Sequence, residues 1–180
     1  VIQDSHTNFV FLRHNGEIAL DRREGRTGES EQTAPEDAGL SIAGIWEFAL
    51  NVPVERLYFL RELVKVNRAA AQEGLSHAYG LQVGMKLRQS IQKGLIGEDV
   101  CNYAAAMTAA AADARMSGCE YSVMSVAGSG NQGLAATVPI IAAAEKAGQP
   151  EERMLRGLAI SLLTTIHSKE FIGRLSVLCG

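Results

Sequence analysis

The sequence predicts an α+β fold in which helices dominate, with a small amino-terminal β-hairpin followed by about six helices around a glycine loop. Three observations carry this expectation. β-rich residues flank an Asn15-Gly16 pair near the start of the chain. From Ser41 onward apolar residues recur at helical spacing. The glycine-rich stretch Gly128 to Gly133 separates an extended segment from a helical one.

The elements follow in order. Residues 6–20 read as the hairpin: His6 to Leu12 lead in, Asn15-Gly16 turns, and Ile18-Ala19-Leu20 return. Residues 21–39 are charged and carry Gly25, Gly28, Pro35 and Gly39, which reads as a linker or mobile loop. Ser41 can cap a first helix whose Ile42, Ile45, Trp46 and Ala49 share a face, ended by Asn51 and Pro53. A second helix fits residues 54–76, with Leu57, Leu60 and Val64 inward, and a shorter third fits 84–94. A fourth, alanine-rich helix runs from Asp99 to Met116 and stops at Gly118. Its small side chains allow another helix to come close, and the long last helix is the expected neighbour. Residues 120–127 are extended in character, and a helix over 134–147 follows the glycine stretch, with Pro139 opening its regular part or kinking it. Pro150, Glu151 and Glu152 suit the start of a last helix over 151–178, with Met154, Leu155, Leu158, Leu162, Thr165 and Ile166 as its buried stripe.

Composition narrows the function classes. The 180 residues suit one domain over 1–180, and 47% hydrophobic against 21% charged residues allows a sizeable core. A net charge of -3 offers no electrostatic reason to bind nucleic acid or an anionic membrane. Glu145, Arg156 and His167 interrupt the longest apolar stretches, which fall short of the roughly 20 residues of a membrane span. The chain opens at Val1 without Met or a secretory leader and stops at Gly180 directly after an apolar helical pattern. Both ends read as cut or processed, an ordinary terminus with Met removed being the alternative; a fragment is expected, with the rest of its parent protein as a partner, and a homo-oligomer is left open. Cys101, Cys119 and Cys179 are odd in number and form no C-x-x-C pair, so reduced thiols in the cytoplasm are expected. Cys101 and Cys119 read as structural, Cys101 as a small core residue.

Gly128-Ser129-Gly130-Asn131-Gln132-Gly133 literally satisfies G-x-G-x-x-G. A dinucleotide site would need a second parallel strand after the following helix, closed by an acidic residue; no β-rich run follows Gly133. Two readings stay open. One is a plain glycine turn. The other is an anion cradle, in which backbone N–H groups and the start of a helix face a small carboxylate, with Ser129, Asn131 and Gln132 supplying side-chain groups. In the cradle, Gly130 is the position expected to need a backbone conformation closed to side chains.

Other polar residues are weighed the same way. His6, His77 and His167 have a pKa suited to proton transfer, yet a lone histidine is usually a satisfied polar residue. Asn67, if inward, is a buried amide that serves either a network or a ligand. Asp113 and Arg115 can form a salt link at a helix end.

The ordered set Asp113-Ala114-Arg115-Met116, Ser122-Val123-Met124-Ser125, Gly128 to Gly133, Thr137-Val138-Pro139-Ile140, His167-Ser168-Lys169, Ile172-Gly173-Arg174-Leu175-Ser176 and Leu178-Cys179-Gly180 resembles an uncharacterised bacterial family allied to L-cysteine desulfidase. More distantly it resembles the alpha part of iron–sulfur L-serine dehydratases. Asn67-Arg68, Glu73-Gly74-Leu75, Tyr79-Gly80-Leu81 and His6-Thr7-Asn8 also fit, so the likeness covers most of the chain. The resemblance implies an amino-acid β-eliminating lyase that converts L-cysteine or L-serine to pyruvate and ammonia. It also implies an iron–sulfur cluster in the complete protein, with an open iron acting as Lewis acid. Cys179 is the one position here that maps onto a ligand, and an inert core thiol is its other reading. His6, His167 and Lys169 are the candidate catalytic groups; the last two could instead support a cluster or hold the substrate carboxylate. The substrate-binding candidates are Gly128, Ser129, Gly130, Asn131, Gln132, Gly133 and Asn67. The chain departs from the pattern at Asn131-Gln132, where the dehydratases place a cysteine, and it lacks cysteines the family carries beyond both ends. About 27 Å of helix separates Cys101 from Cys119, which therefore cannot share one cluster. The isolated chain is expected to be inactive and to hold no cluster. A non-catalytic small-carboxylate-binding or assembly module is the alternative.

Overall fold

The computed structural model describes residues 9–22 and 40–172. His6, Cys179, most of the 21–39 linker and the predicted end of the last helix lie outside the described residues. The described chain forms β1 (Phe11–His14), β2 (Glu17–Asp21), α1 (Ile42–Asn51), a 3₁₀ turn (Val54–Leu57), α2 (Leu60–Ser76), α3 (Val83–Gln92), α4 (Val100–Met116), α5 (Gly130–Lys146) and α6 (Glu151–Ile172). It is the mainly helical architecture with an amino-terminal hairpin that the sequence predicts.

β1 and β2 pair antiparallel, with His14 opposite Glu17 and a register shift between Leu12 and Arg13. Asn15 at φ 49° and Gly16 at φ 91° form the two-residue turn. Both residues take the left-handed conformation that an Asn-Gly pair tolerates and most pairs do not.

α1 and α4 begin where the sequence supplies a side-chain cap. Ser41 Oγ accepts from Gly44 N, and Asp99 Oδ1 accepts from Asn102 N at 2.8 Å. α4 ends at Gly118, whose φ of 78° lets Cys119 N reach back to the Ala114 carbonyl. The predicted single helix over 54–76 is divided. Its first turn is a 3₁₀ turn, with Arg56 N bonding Pro53 O and Tyr58 N bonding Glu55 O. Leu57 at the end of that turn and Leu60 at the start of α2 are both buried.

α4 is the central helix. It packs on α2, α3 and α5. Gly74 on α2 and Gly84 on α3 both abut the backbone of Ala110, so close that a Cβ on either would overlap it. Asp113 Oδ2 accepts from Gly84 N at 3.0 Å and so caps α3. The alanine tract does permit close approach, but α6 is not the helix that approaches. α6 lies on α5, α1 and the 3₁₀ turn, because the short Pro150 connection folds it back along α5. Two apolar clusters result. One joins Val52, Leu57, Leu60, Ile141, Leu155 and Leu158; the other joins Ala71, Met107, Ala111, Leu134, Val138 and Ala142. α2 and α5 contribute to both.

Two predicted faces need correction. On α1 only Ile45 and Ala49 are buried, while Ile42 and Trp46 are more than half exposed. α6 covers a narrow strip of α1, held where Arg156 Nη1 donates to the Ala49 and Val52 carbonyls at 2.7 and 3.0 Å. On α6 Leu155 and Leu158 are buried as expected, but Ile166 is exposed. Cys101 is also exposed, not a core residue, because it lies in the first turn of α4.

Candidate functional site

The glycine stretch is not a loop for most of its length. Val126 and Ser129 exchange backbone hydrogen bonds of 3.1 and 3.0 Å around a two-residue turn. Ala127 at φ 49° and Gly128 at φ 86° occupy its centre. Gly128, not Gly130, therefore holds the left-handed conformation. Gly130 to Gly133 form the first turn of α5, capped by Ser129, whose Oγ accepts from Gln132 N at 3.1 Å. The S-x-x-Q spacing of Ser129 and Gln132 is a capping-box signal that would have placed this helix start four residues earlier.

Space is tight at both helical glycines, against backbone at Gly133 and against a side chain at Gly130. A Cβ on Gly133 would run into the Met124 carbonyl, so the extended segment lies directly against the first turn of α5. A Cβ on Gly130 would overlap the Arg115 guanidinium. Arg115 thus reaches from the last turn of α4 to the first turn of α5. Its Nη1 donates to Asn131 Oδ1 at 2.9 Å and also meets Met116 Sδ at 3.4 Å, and Asn131 Nδ2 donates to the same sulfur at 3.2 Å.

Arg115 does not pair with Asp113, as the sequence suggested. Asp113 is turned to the α3 cap, and no carboxylate pairs with Arg115 among the described residues. Its charge suits the negative end of α4 but adds to the positive end of α5. The sequence offered no sign of this placement, because Arg115 and Asn131 meet only through the antiparallel packing of α4 on α5.

Asn67 supports the turn from behind. It is fully buried. Its Oδ1 accepts from Met124 N at 2.8 Å, and its Nδ2 donates to Thr137 Oγ1 at 2.8 Å. Thr137 in turn donates to the Gly133 carbonyl at 2.7 Å. Of the two roles open to Asn67, this geometry gives it the network role, locking the extended segment onto α5.

α6 runs antiparallel to α5, tied by Ser161 Oγ donating to the Ala136 carbonyl at 2.6 Å. That course carries His167 and Lys169 toward the end of the pair where α5 begins. His167 Nδ1 lies 2.9 Å from Glu170 Oε2, and its ring meets Phe171 edge-on. Lys169 is buried. A further polar group stands at the carboxy-terminal end of α2: Glu73 Oε1 accepts from Tyr79 Oη at 2.7 Å and lies 2.9 Å from His77 Nδ1. The Glu73 carboxylate pushes the Tyr79 phenol up to about 12, with burial adding to the effect.

Cys101 and Cys119 flank the two ends of α4, and no three His, Cys, Asp or Glu side chains come together as a metal-binding group among the described residues. These residues alone do not fit an iron–sulfur cluster. No described helix is long and apolar enough to cross a membrane.

Residues 17–180 match the serine dehydratase alpha chain family. The chain is 37% identical over 180 residues to a UPF0597 protein of Bacteroides thetaiotaomicron, covering 100% of this chain and 41% of that protein. It is 41% identical over 182 residues to a UPF0597 protein of Oleidesulfovibrio alaskensis and 40% identical over 181 residues to one of Clostridium perfringens, covering 100% of this chain and 42% of each. The chain thus spans less than half the length of these relatives. No solved structure matches it. With a match that extends from β2 through α6 to the last residue, the chain belongs to the serine dehydratase alpha chain family.

Proposed function

We propose that this chain is the carboxylate-binding part of an amino-acid β-eliminating lyase of the L-cysteine desulfidase or L-serine dehydratase type. The complete lyase releases pyruvate and ammonia, and the chain alone is inactive. The observation that supports this most is Arg115 set against Gly130 at the start of α5, with no carboxylate partner among the described residues. A guanidinium and a helix N-terminus that converge on one point favour an anion there. An α-carboxylate is the anion that L-serine, L-cysteine and their relatives share.

In this reading Arg115 and the first turn of α5 hold the carboxylate, and Asn131 keeps the guanidinium in place. Asn67 and Thr137 keep the turn rigid. His167 and Lys169 are the candidate groups for moving the α-proton, with Glu170 orienting the His167 ring. An iron–sulfur cluster belongs to the complete protein, where Cys179 would give one ligand and the cluster would supply a Lewis acid.

Calorimetry with L-serine, L-cysteine and acetate tests the carboxylate site. Arg115→Met is expected to weaken binding at least tenfold, about 1.4 kcal/mol, while thermal unfolding stays close to that of the parent chain. Equal binding by parent and variant would remove the site from Arg115. Pyruvate release by a cluster-loaded, family-length protein would support the lyase. Tight binding without elimination in that protein would favour a non-catalytic carboxylate-binding module.

A further inference from the structure

Two elements present apolar side chains to solvent with nothing among the described residues to cover them. On α1, Ile42, Trp46 and Leu50 recur at i, i+4 and i+8 and are 58%, 56% and 52% exposed. They form a stripe beside the buried Ile45 and Ala49, and the stripe itself carries no charge. On the other flank the half-exposed Phe48 borders an open groove with Gly44, Glu47, Asn51 and Val52. The second element is the β1–β2 hairpin. Among the described residues its strands pair with each other alone, and Phe9, Leu12 and Ile18 stand exposed around it. A lone two-stranded hairpin is at best marginally stable in water.

Single exposed apolar residues are ordinary, but a contiguous uncharged stripe centred on tryptophan has the composition of an interface core. The family supplies the occupant. The relatives from Bacteroides thetaiotaomicron and Oleidesulfovibrio alaskensis contain this whole region and carry more than half of their length outside it. We infer that the α1 stripe of Ile42, Trp46 and Leu50 is the surface on which that remaining portion of a family-length chain packs. The inference does not rest on the lyase reading, since it needs no substrate.

The test uses the tagged 180-residue chain produced together with the portion of the Oleidesulfovibrio alaskensis relative that lies outside the match. The pair is expected to co-purify. If the added portion is insoluble by itself, it is expected to become soluble in company with the chain. Oxidative footprinting read by mass spectrometry should show modification of Trp46, the chain's sole tryptophan, falling at least fivefold in the complex. Leu81 and Leu95, exposed in the α2–α3 and α3–α4 connections, should be unchanged. Ile42→Asp and Trp46→Asp should each abolish co-purification and leave the circular dichroism of the chain intact, because both side chains are largely outside the core. Three outcomes would overturn the inference: no soluble complex, a complex that survives either substitution, or an unaltered Trp46 footprint. A chain that by itself forms a dimer protecting Trp46 would also overturn it, in favour of a second copy as the occupant.

Discussion

Asn67 on α2 and Thr137 on α5 are joined by a 2.8 Å hydrogen bond in a place closed to solvent, 70 residues apart in sequence. Three acceptors and three donors are matched in a row from Met124 N through Asn67 and Thr137 to the Gly133 carbonyl. Buried polar groups hold a structure together only when every member is partnered.

Asn67→Ala should therefore cost more than its own bonds. It strands the Met124 N–H, leaves Thr137 with one partner fewer, and opens a cavity. Urea unfolding should show a loss of about 2–4 kcal/mol. Thr137→Val keeps the shape and removes only the hydroxyl, so a smaller loss of about 1–2 kcal/mol is expected. Equal losses for the two would mean that the amide does not lock the segment.

The crossing of α2 over α4 depends on Gly74. A methyl group there meets the Ala110 carbonyl, which belongs to a helix backbone and cannot turn aside. Gly74→Ala should destabilise by about 3 kcal/mol or more, or prevent folding. Gly128→Ala meets open space and suffers only from its left-handed conformation, for about 1–2 kcal/mol. Thermal unfolding of the pair separates a packing cost from a backbone cost.

Ala127 is a non-glycine residue at φ 49° in the first position of its turn. Asn is the residue best suited to that position before Gly. Ala127→Asn should raise stability by about 0.5–1 kcal/mol, seen as a higher melting temperature with the helical signal unchanged. A lower melting temperature would mean that the turn is held otherwise.

The Tyr79 phenol should ionise well above the ordinary tyrosine value. Its pKa rises from the ordinary 10 to about 12 because the neutral phenol donates to Glu73. The fold favours the protonated form, so its contribution to stability is complete below pH 10 and is lost as pH climbs from 10 through about 12. Ultraviolet titration of phenolate in the parent and in Glu73→Gln measures this. The variant should bring Tyr79 back toward the ordinary value of 10, and an unchanged curve would refute the assignment.

Local signals in the sequence determined most of the secondary structure. Asn15-Gly16 specified the hairpin turn, Ser41 and Asp99 specified helix starts, and Gly118 specified a helix end, because each acts through its own neighbouring backbone groups. The Ser129-to-Gln132 cap belongs with them, though the surrounding glycines concealed it. Family membership was legible too, since a set of short motifs in fixed order survives in the chain itself. The tertiary structure decided what depends on partners distant in sequence. It chose α2 and α3, not α6, to approach the alanine tract, because Gly74 and Gly84 remove the side chains that would hold them off. It left Trp46 in solvent, because α6 covers α1 only along Ile45 and Ala49. It separated Arg115 from Asp113 and set it against Gly130, because antiparallel packing brings the end of α4 to the beginning of α5. Helical periodicity tells which residues share a face; only the assembled bundle decides which faces meet.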